Sequence, residues 1–283
     1  MKNFALLGII GDPIRHSLSP AMHNAVLRKG GFPYLYLPFH VTPQRLKDFV
    51  RDAPSLNLVG FNVTIPHKET VRKHLAWVSP EAKAIGAVNT VVVSGKNLKG
   101  YNTDASGYAR SLAETGFRPK DKIALVLGAG GAARAVVYAL AKAGLKEIAL
   151  ANRTRARARK LAREFSKTFP KTRILDVPFD TRLLNRLLRE VDLLVNTTAV
   201  GMNRTSFKGL KLSDLRKSAV VSDLVYKPLL TPLLRAAKRQ GIRLHTGDGM
   251  LIHQGAEAFR LWTGRKPDLP TMRKALLHAL KRG

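Results

Sequence analysis

Short apolar runs alternate with helix-like patterns along almost the whole chain. In the first half, the pattern predicts strands at 4–10, 34–41, 58–64 and 87–93, with helices at 19–29, 43–52, 68–76 and 104–114. The polar segment 94–99 indicates a turn. In the second half, the pattern predicts strands at 122–127, 147–151, 193–196, 219–224 and 242–245. Alternation of this kind is typical of α/β proteins.

The second half also carries helical patterns after a linker-like segment at 118–121. One predicted helix follows the glycine-rich segment at 128–133 and ends near residue 142. The others cover 156–166, 231–239, 250–262 and 270–280. In the helix 156–166, apolar residues recur at the i, i+3, i+4, i+7 spacing of a buried face. The members of that face are Ala158, Leu161, Ala162 and Phe165.

Local residue chemistry supports several of the predicted boundaries. Ser19 before Pro20 and Thr42 before Pro43 predict capping side chains followed by a proline at the first helical position. The Gly-Gly pair at 30–31 predicts the end of the first helix. At 283 residues, the chain is long enough for two domains of ordinary size.

Composition narrows the class of protein. Cysteine is absent and the eight histidines have no metal-ligand spacing, so we expect no disulfide, no thiol catalysis and no metal. The absence of cysteine fits a cytoplasmic protein. No stretch approaches the roughly 20 apolar residues of a membrane helix. The apolar run 4–10 ends in Gly-Asp-Pro rather than a cleavage site, which indicates a strand and not a signal peptide.

The net charge of +30 is the least ordinary feature of the composition. It admits a nucleic-acid partner, held by phosphate attraction, or a basic surface that attracts small anionic ligands. The lysines and arginines are spread along the whole chain without a basic tail or the aromatic signature of an RNA-binding module. We therefore expect an anionic small molecule as the partner, and no nucleic acid.

A glycine-rich turn follows the apolar strand 122–127 and opens a helix. The spacing Gly128-x-Gly130-x-x-Ala133 in this context is the dinucleotide-binding fingerprint, in which the turn and the helix N-terminus receive the pyrophosphate. Gly-rich turns that bind nothing also exist, but the strand and helix on either side favour a cofactor site. The predicted cofactor-binding residues here are Gly128, Ala129, Gly130, Gly131 and Ala132.

The next strand end indicates which dinucleotide binds. An NAD enzyme usually has Asp or Glu there for the ribose 2′-hydroxyl, whereas this chain has Asn152, Arg153 and Thr154, followed by Arg155 and Arg157. Two or three guanidinium groups suit a 2′-phosphate. The alternative is that these arginines belong to the general basic excess. We predict NADP as the cofactor.

Four polar clusters interrupt the apolar pattern of the first half. Each is explained by capping or turn chemistry when taken alone, but four in one half favour a ligand site. They lie at Ser17–Ser19, Asn62–Lys68, Asn89–Thr90 and Asn102–Asp104.

Together with the later motifs, these clusters resemble the shikimate dehydrogenase family, in order and over nearly the full length. The matching segments are 17–20, 62–68, 85–90, 100–104, 128–133, 152–154, 196–198, 223–226 and 249–254. The resemblance implies reduction of 3-dehydroshikimate to shikimate with NADPH in chorismate and aromatic amino acid biosynthesis. One departure is Asp248, in a stretch where many members have leucine.

The resemblance also implies a role for each matching residue. Lys68 would be the acid/base residue with Asp104 as its partner. Substrate binding would fall to Ser17, Ser19, Asn62, Thr64, Asn89, Tyr226 and Gln254. Further cofactor contacts would come from Asn152, Arg153, Thr154, Arg157, Leu224, Gly247 and Met250.

Lysine and carboxylate suit this chemistry, because hydride transfer to a ketone leaves an alkoxide that needs a proton donor. The alternative for Lys68 is a solvated lysine in the first turn of a helix, as its neighbours Arg72 and Lys73 are expected to be. Lys68 differs because it follows a strand end, where α/β sheets bind ligands.

The resemblance implies an α/β fold of two domains, with C-terminal helices that return to the first. We expect residues 1–104 and 242–283 to form the substrate-binding domain, and 105–241 the Rossmann NADP-binding domain, in a monomer or homodimer. Two alternatives remain. One is a quinate/shikimate dehydrogenase that uses NAD. The other is a basic nucleic-acid-binding protein on the same fold.

Overall fold

The computed structural model describes residues 4–282. Two compact units divide the chain: the first unit comprises Met1–Gly107 and Leu251–Gly283, and the second comprises Tyr108–Met250. Each unit contains one six-stranded sheet.

The elements follow one another along the chain as short strands and helices. The strands are β1 (Ala5–Gly11), β2 (Tyr34–His40), β3 (Leu58–Val63), β4 (Trp77–Val78), β5 (Thr90–Ser94), β6 (Asn97–Tyr101), β7 (Ile123–Leu127), β8 (Glu147–Ala151), β9 (Arg173–Val177), β10 (Leu193–Asn196), β11 (Val200–Asn203), β12 (Val220–Asp223) and β13 (Arg243–His245). The α-helices are α1 (Ser19–Lys29), α2 (Leu46–Asp52), α3 (Pro80–Ile85), α4 (Asp104–Glu114), α5 (Gly131–Lys142), α6 (Arg155–Thr168), α7 (Thr181–Leu188), α8 (Pro232–Arg239), α9 (Gly247–Thr263) and α10 (Leu269–Arg282).

The sheet of the first unit is mixed, with the order β2-β1-β3-β5-β6-β4. Strand β1 is parallel to β2 and β3, whereas β5 is antiparallel to β3 and β6. One face is covered by a cluster that includes Met22 of α1, Phe259 of α9 and Leu276 of α10. The other face carries a cluster that includes Val50 of α2 and Ala82 of α3. The central strands β1 and β3 are thus buried between helical layers, as their apolar runs require.

The sheet of the second unit is parallel throughout, with the order β13-β12-β10-β7-β8-β9. In chain order this is the doubly wound Rossmann topology, in which the chain crosses over after the third strand. Such sheets bind ligands beyond the carboxyl ends of their strands. The turn after β7 lies at that edge, where a ligand is expected. The α/β class predicted from the sequence is confirmed.

Helix α6 shows why the helical periodicity was informative. The predicted face of Ala158, Leu161, Ala162 and Phe165 is buried in the structure. The predicted bounds of α1 and α4 also agree with the structure, and Gly30 with Gly31 ends α1 as expected.

The predicted helix at 68–76 is wrong. Residues 65–70 form turns, and only Val71–His74 form a short 3-10 helix. The reason is that the carbonyl of Lys68 accepts the N–H of Val88 at 2.8 Å, so it is drawn toward a neighbouring segment. A helix would have used that carbonyl internally.

The predicted capping by Ser19 is also wrong. Leu18 is the N-cap of α1, Ser19 is already helical, and neither it nor Thr42 makes a side-chain capping hydrogen bond. Residues 43–45 form a 3-10 helix before α2.

Several short elements were not predicted. They are α3, β4, β6, β9, α7 and β11. Helix α3 is six residues long and depends on its ends: the Ser79 hydroxyl accepts the Ala82 N–H at 3.1 Å, and Gly86 ends the helix at φ 75°. The segment 94–99 turns only around Gly95, at φ 58°, before β6 begins.

Candidate functional site

A lysine–carboxylate pair lies at the carboxyl end of β3 in the first unit. The Nζ of Lys68 donates to Oδ2 of Asp104 at 2.6 Å. The side chains are 15% and 5% exposed, so the pair is largely desolvated while the lysine keeps access to solvent. Lys68 is carried by a turn and Asp104 is the first residue of α4. A cation held in this way is suited to give or take a proton.

Asn89 fixes the other side of the same carboxylate. Its Nδ2 donates to Oδ1 of Asp104 at 2.8 Å, and its Oδ1 accepts the backbone N–H of Thr103 at 2.7 Å. Asn102 adds a cap for α4, because its Oδ1 accepts the N–H groups of Asp104 and Ala105. The carboxylate is therefore held at a fixed orientation toward Lys68.

Asn62 belongs to the same buried network. Its Oδ1 accepts the phenol hydroxyl of Tyr36 at 2.7 Å, and its Nδ2 donates to the carbonyl of Asn89 and to Oγ1 of Thr90, each at 3.1 Å. Both amide hydrogens of Asn62 are thus used inside the protein. Its oxygen retains one lone pair, so it can bind a ligand only as an acceptor.

Gln254 reaches this network from α9. Its Nε2 donates to the carbonyl of Leu251 at 2.8 Å, and its Oε1 lies 3.3 Å from Nδ2 of Asn89. The close approach depends on Gly107, because a Cβ there would lie 2.7 Å from the backbone nitrogen of Gln254. A glycine in α4 therefore brings the glutamine next to Asn89, the residue that holds Asp104.

Ser17 and Ser19 lie where α1 begins, in the first unit. The hydroxyl of Ser17 accepts the N–H of Ser19 at 3.3 Å, and Ser19 is 2% exposed. Thr64 directly follows β3, and its methyl group would lie 2.6 Å from a Cβ at Gly11. Strands β1 and β3 therefore end close together, with small residues where their carboxyl ends meet.

The glycine-rich turn of the second unit has the form that a pyrophosphate requires. Gly128 has φ 115°, and a Cβ there would lie 2.3 Å from Oγ1 of Thr197. Gly130 is the N-cap of α5, and a Cβ there would meet no atom within 4 Å. The turn is therefore tight on its inner side and open on the side where backbone N–H groups begin the helix, which fits a bound dinucleotide phosphate.

Residues around that turn are close-packed or half-buried. Ala129 is 7% exposed, and Gly131 and Ala132 are half-buried in the first turn of α5. The helix contains no acidic residue in its first turn, so its partial positive charge is not neutralised locally.

The polar cluster after β8 leads into α6. The Nδ2 of Asn152 donates to the carbonyl of Thr154 at 2.9 Å, and Thr154 is the N-cap of the helix without a side-chain capping bond. Arg153 and Arg157 are exposed. Arg155 instead donates from Nε to Oδ2 of Asp176 on β9 at 2.8 Å. The structure thus gives Arg155 a carboxylate partner outside its own helix.

A second buried carboxylate lies at the end of β12. Asp223 accepts hydrogen bonds from Nδ2 of Asn196 at 2.8 Å, Oγ1 of Thr231 at 2.7 Å and the N–H of Val225 at 3.0 Å. Burial raises the pKa of Asp223 to about 6, although these hydrogen bonds act in the opposite direction. The carboxylate ties the ends of β10 and β12 to α8.

Four further predicted residues lie in the second unit. Leu224 and Tyr226 follow β12, and Gly247 and Met250 lie in the first turn of α9. A Cβ at Gly247 would lie 2.4 Å from the carbonyl oxygen of Leu224, so the start of α9 touches the segment after β12 through a glycine. Asp248 is buried, and its carboxylate accepts the hydroxyl of Thr246 at 2.6 Å.

Sequence reasoning assigned no individual role to four residues that build the site. They are Tyr36, Thr90, Asn102 and Thr103 as hydrogen-bonding members of the network. The last three stood within the motifs, but Tyr36 stood in an apolar strand with no signal. Its role comes from a contact between β2 and β3 that only the folded chain shows.

Metal and membrane features are absent from the described part of the chain. Among residues 4–282, no group of three or more histidine or acidic side chains is placed to hold a metal ion. None of the helices described there has the length and apolarity to cross a membrane.

Family models cover most of the sequence. Residues 9–91 match the shikimate dehydrogenase substrate binding domain, 111–224 match shikimate/quinate 5-dehydrogenase, and 247–277 match the shikimate 5′-dehydrogenase C-terminal domain. The order of these matches is the order in which the Lys68 turn, the Gly128 turn and Gln254 follow along the chain.

Individual relatives extend over nearly the full length. A shikimate dehydrogenase (NADP(+)) of Geobacter metallireducens is 48% identical over 278 residues, which is 98% of this chain and 97% of the relative. A shikimate dehydrogenase crystallised in complex with NADP+ has a TM-score of 0.91 at 40% identity, covering 98% of this chain and 96% of that one. The Thermus thermophilus enzyme, crystallised with NADP(H) and shikimate, has a TM-score of 0.86 at 42% identity, covering 98% and 100%. This chain belongs to the shikimate dehydrogenase family.

Proposed function

We propose that this chain reduces 3-dehydroshikimate to shikimate with NADPH, reversibly, as a step in chorismate and aromatic amino acid biosynthesis. The observation that carries the proposal is the pair of Lys68 and Asp104, in hydrogen-bond contact at 2.6 Å and largely buried at a strand end. Such a pair supplies the proton that the reduction of a ketone requires. Relatives over nearly the whole length are shikimate dehydrogenases by name.

NADPH, when bound, supplies the hydride. The protein's own part is to move the proton: Nζ of Lys68 donates to the developing alkoxide oxygen, and takes the proton back in the reverse direction. Asp104 holds the ammonium group by its Oδ2 while Asn89 holds Oδ1. A donor fixed in advance loses little free energy to reorganisation when charge develops on the substrate oxygen.

The substrate is proposed to bind through the polar groups of the first unit. The hydroxyls of Ser17 and Ser19 receive its carboxylate, with Tyr226 as a further ligand. Its ring hydroxyls bind Thr64, the free lone pair of Asn62, Asn89, Asp104 and Gln254. These side chains combine donors and acceptors, as a polyhydroxylated ring requires. Asn62, Asn89 and Asp104 are each less than 5% exposed, so these three side chains are themselves largely shielded from bulk water.

The cofactor is proposed to bind the second unit. Its pyrophosphate lies over Gly128–Ala132, where the open side of Gly130 admits the phosphates. Asn152, Arg153, Thr154 and Arg157 surround the adenosine 2′-phosphate. Leu224, Gly247 and Met250 line the nicotinamide. The absence of an acidic side chain at 152–154 favours NADP over NAD.

The domain assignment follows from these roles. We propose that 1–104 with 242–283 forms the substrate-binding domain and that 105–241 forms the NADP-binding domain. The partners are then two anionic small molecules. A cytoplasmic location, a monomeric or homodimeric state and the lack of a nucleic-acid partner remain predictions of the sequence.

The test is NADPH oxidation with 3-dehydroshikimate, followed through the nicotinamide absorbance. Lys68→Ala should lower turnover by about 100- to 10,000-fold, the usual contribution of an acid/base group, while NADP binding is retained. Lys73→Ala is the matched control, because it removes an exposed lysine of the same segment and should leave turnover unchanged. Near-normal turnover of Lys68→Ala would remove this lysine from its role.

Substrate and cofactor alternatives give different results in the same assay. Equal rates with NADH, or faster oxidation of quinate than of shikimate, would favour the quinate/shikimate version of the activity. If no combination of substrate and cofactor reacts and the chain binds duplex DNA in a salt-sensitive way, the nucleic-acid alternative would be favoured.

A further inference from the structure

The first turn of α6 brings several cations to the positive end of a helix. Arg155 and Arg157 lie in that turn, Arg153 precedes it, and the turn contains no acidic residue. Positive side chains at a helix N-terminus are unfavourable, because the unpaired N–H groups there already carry partial positive charge. This end of the helix therefore needs negative charge from outside the helix.

Part of that charge comes from a neighbouring strand. Asp176 lies on β9, in register with Leu150 of β8, and its Oδ2 accepts Nε of Arg155 at 2.8 Å. The same oxygen lies 3.7 Å from Nε of Arg159, one turn further along α6. The Asp176 side chain is 19% exposed, whereas both arginines are about half exposed. One carboxylate thus serves two guanidinium groups.

Arg153 has a different environment. Among the described residues, no hydrogen bond or ion pair involves the side chain of Arg153. Arg155, by contrast, donates from Nε to Oδ2 of Asp176. Arg153 and Arg155 therefore differ in their partners, although they are only two positions apart.

We propose that Asp176 is a specificity-determining residue that sets how strongly this chain prefers NADP over NAD. It does so by holding Arg155 and Arg159 in ion pairs, so that the 2′-phosphate meets only Arg153 and Arg157. The inference rests on the proposed use of NADP and goes beyond it, since it assigns a function to a residue outside the matching motifs. The carboxylate limits affinity for the 2′-phosphate in two ways: it occupies two cations and contributes a negative charge near the anion.

The experiment is calorimetric binding of NADP+ and NAD+ to the full chain and to three variants: Asp176→Asn, Arg155→Ala and the double variant. Asp176→Asn should tighten NADP+ binding by about two- to fivefold, the effect of a partly exposed charge pair, and leave NAD+ unchanged. Arg155→Ala should weaken NADP+ by a similar factor, because it leaves Asp176 less compensated. The double variant should return to the wild-type ratio. Each effect should shrink at high salt.

Glu147→Gln is a matched control. Glu147 pairs with Arg173 at 3.1 Å across the same two strands, and its side chain is 20% exposed, close to the value for Asp176. It lies at the amino end of β8, away from the residues proposed to bind phosphate. Its loss should alter stability as much as the loss of Asp176 does, but should leave the ratio of NADP+ to NAD+ affinity unchanged.

The same binding measurement can be made with adenosine 2′,5′-bisphosphate and adenosine 5′-monophosphate, which differ in the 2′-phosphate and lack the nicotinamide that transfers the hydride. A preference for the bisphosphate that rises in Asp176→Asn supports the inference even if the chain fails to reduce 3-dehydroshikimate, so the two proposals fail separately. The inference is overturned if Asp176→Asn leaves the ratio unchanged or alters both cofactors equally. It is also overturned if Arg155→Ala weakens NADP+ binding more than about tenfold both in the wild-type chain and in Asp176→Asn. Arg155 would then bind the phosphate itself.

Discussion

The two units place similar polar side chains at similar points of their sheets, with different results. In the first unit, the network of Asn62 and Asn89 ends at Lys68, whose side chain is 15% exposed. In the second unit, the network of Asn196 and Asp223 is fully buried and closes on itself. Both networks combine asparagine with aspartate, but the aspartate begins α4 in the first unit and ends β12 in the second.

The difference teaches how a reactive network is distinguished from a structural one. In the first unit a carboxylate is paired with a cation that can exchange a proton with a ligand. In the second unit the carboxylate meets only neutral donors, so burial raises the pKa of Asp223 to about 6. Buried polar groups of the second kind specify how loops pack, while cofactor binding there falls to the backbone of the turn at Gly130.

Removing the negative charge of Asp104 from the network of Asn62 and Asn89 should have the largest effect on turnover. Asp104→Asn keeps an oxygen for Asn89 but brings an amide hydrogen toward the ammonium group of Lys68. We expect turnover to fall by about 100-fold or more, with NADP binding unchanged. Steady-state kinetics with calorimetry measures both. Asp121→Asn is the control: Asp121 is exposed, and its φ of 61° is one that asparagine adopts. Equal activity of the two variants would contradict the assignment.

Two glycines of the second unit should separate cofactor binding from folding. Gly130→Ala adds a methyl group into open space at φ −99°, so thermal stability should be retained while the Kd for NADP rises by about tenfold, or ~1.4 kcal/mol. Gly128→Ala should instead destabilise the fold, because its φ is 115° and the methyl group would overlap Thr197. Thermal melts with and without NADP measure both effects. Unchanged affinity in Gly130→Ala would place the phosphates elsewhere.

The two units should also respond differently to acid. Burial lowers the pKa of His23 in the first unit to about 3, and that of His245 in the second to about 4. Between those values and 6.5 the unfolded chain binds a proton that the folded histidine does not, so each histidine makes stability fall as pH falls. Asp223 acts with the opposite sign between 3.8 and about 6, because its folded form holds the extra proton.

In the second unit, the contributions of His245 and Asp223 to the pH dependence of stability therefore nearly cancel around pH 5. We expect His23→Phe to reduce the slope of unfolding free energy against pH by about 1.4 kcal/mol per pH unit near pH 5. Asp223→Asn should raise that slope by a similar amount. Urea unfolding between about pH 4.5 and 6 measures both, and the same slope in the two variants would contradict the comparison.

The sequence was informative where a pattern is local. Helices α1, α4 and α6 followed from periodicity and glycine stops, and the turn at Gly128 from its spacing after a strand. It failed at 68–76, where the carbonyl of Lys68 bonds a distant segment, and at α3, where six residues are too few for periodicity. Long-range pairing cannot be read from local residue order.

In the candidate site, too, local sequence patterns were informative and long-range contacts were not. Lys68 and Asp104 were suggested by their motifs, but the contact between them and the shared partner Asn89 come from the fold. The pairing of Arg155 with Asp176 is also a tertiary contact, and it distinguishes arginines that the sequence presents as equivalent. Tyr36 had no sequence signal, because an isolated tyrosine in an apolar strand is ordinary.

Tyr36→Phe should have the smallest effect and gives the finest comparison. The hydroxyl donates to Asn62 at 2.7 Å, whereas the ring stacks on His23 at 4.4 Å and should keep its place in phenylalanine. Loss of the hydrogen bond should cost about 1 kcal/mol of stability. If Asn62 then turns within the network, KM for shikimate should rise a few-fold with little change in kcat, because Lys68 and Asp104 keep their contact. Tyr108→Phe is the counterpart in the second unit, because the Tyr108 hydroxyl is equally buried but donates to Ser222. This variant should lower stability without changing KM. If KM rises in both variants, the hydroxyls act through general packing and not through Asn62.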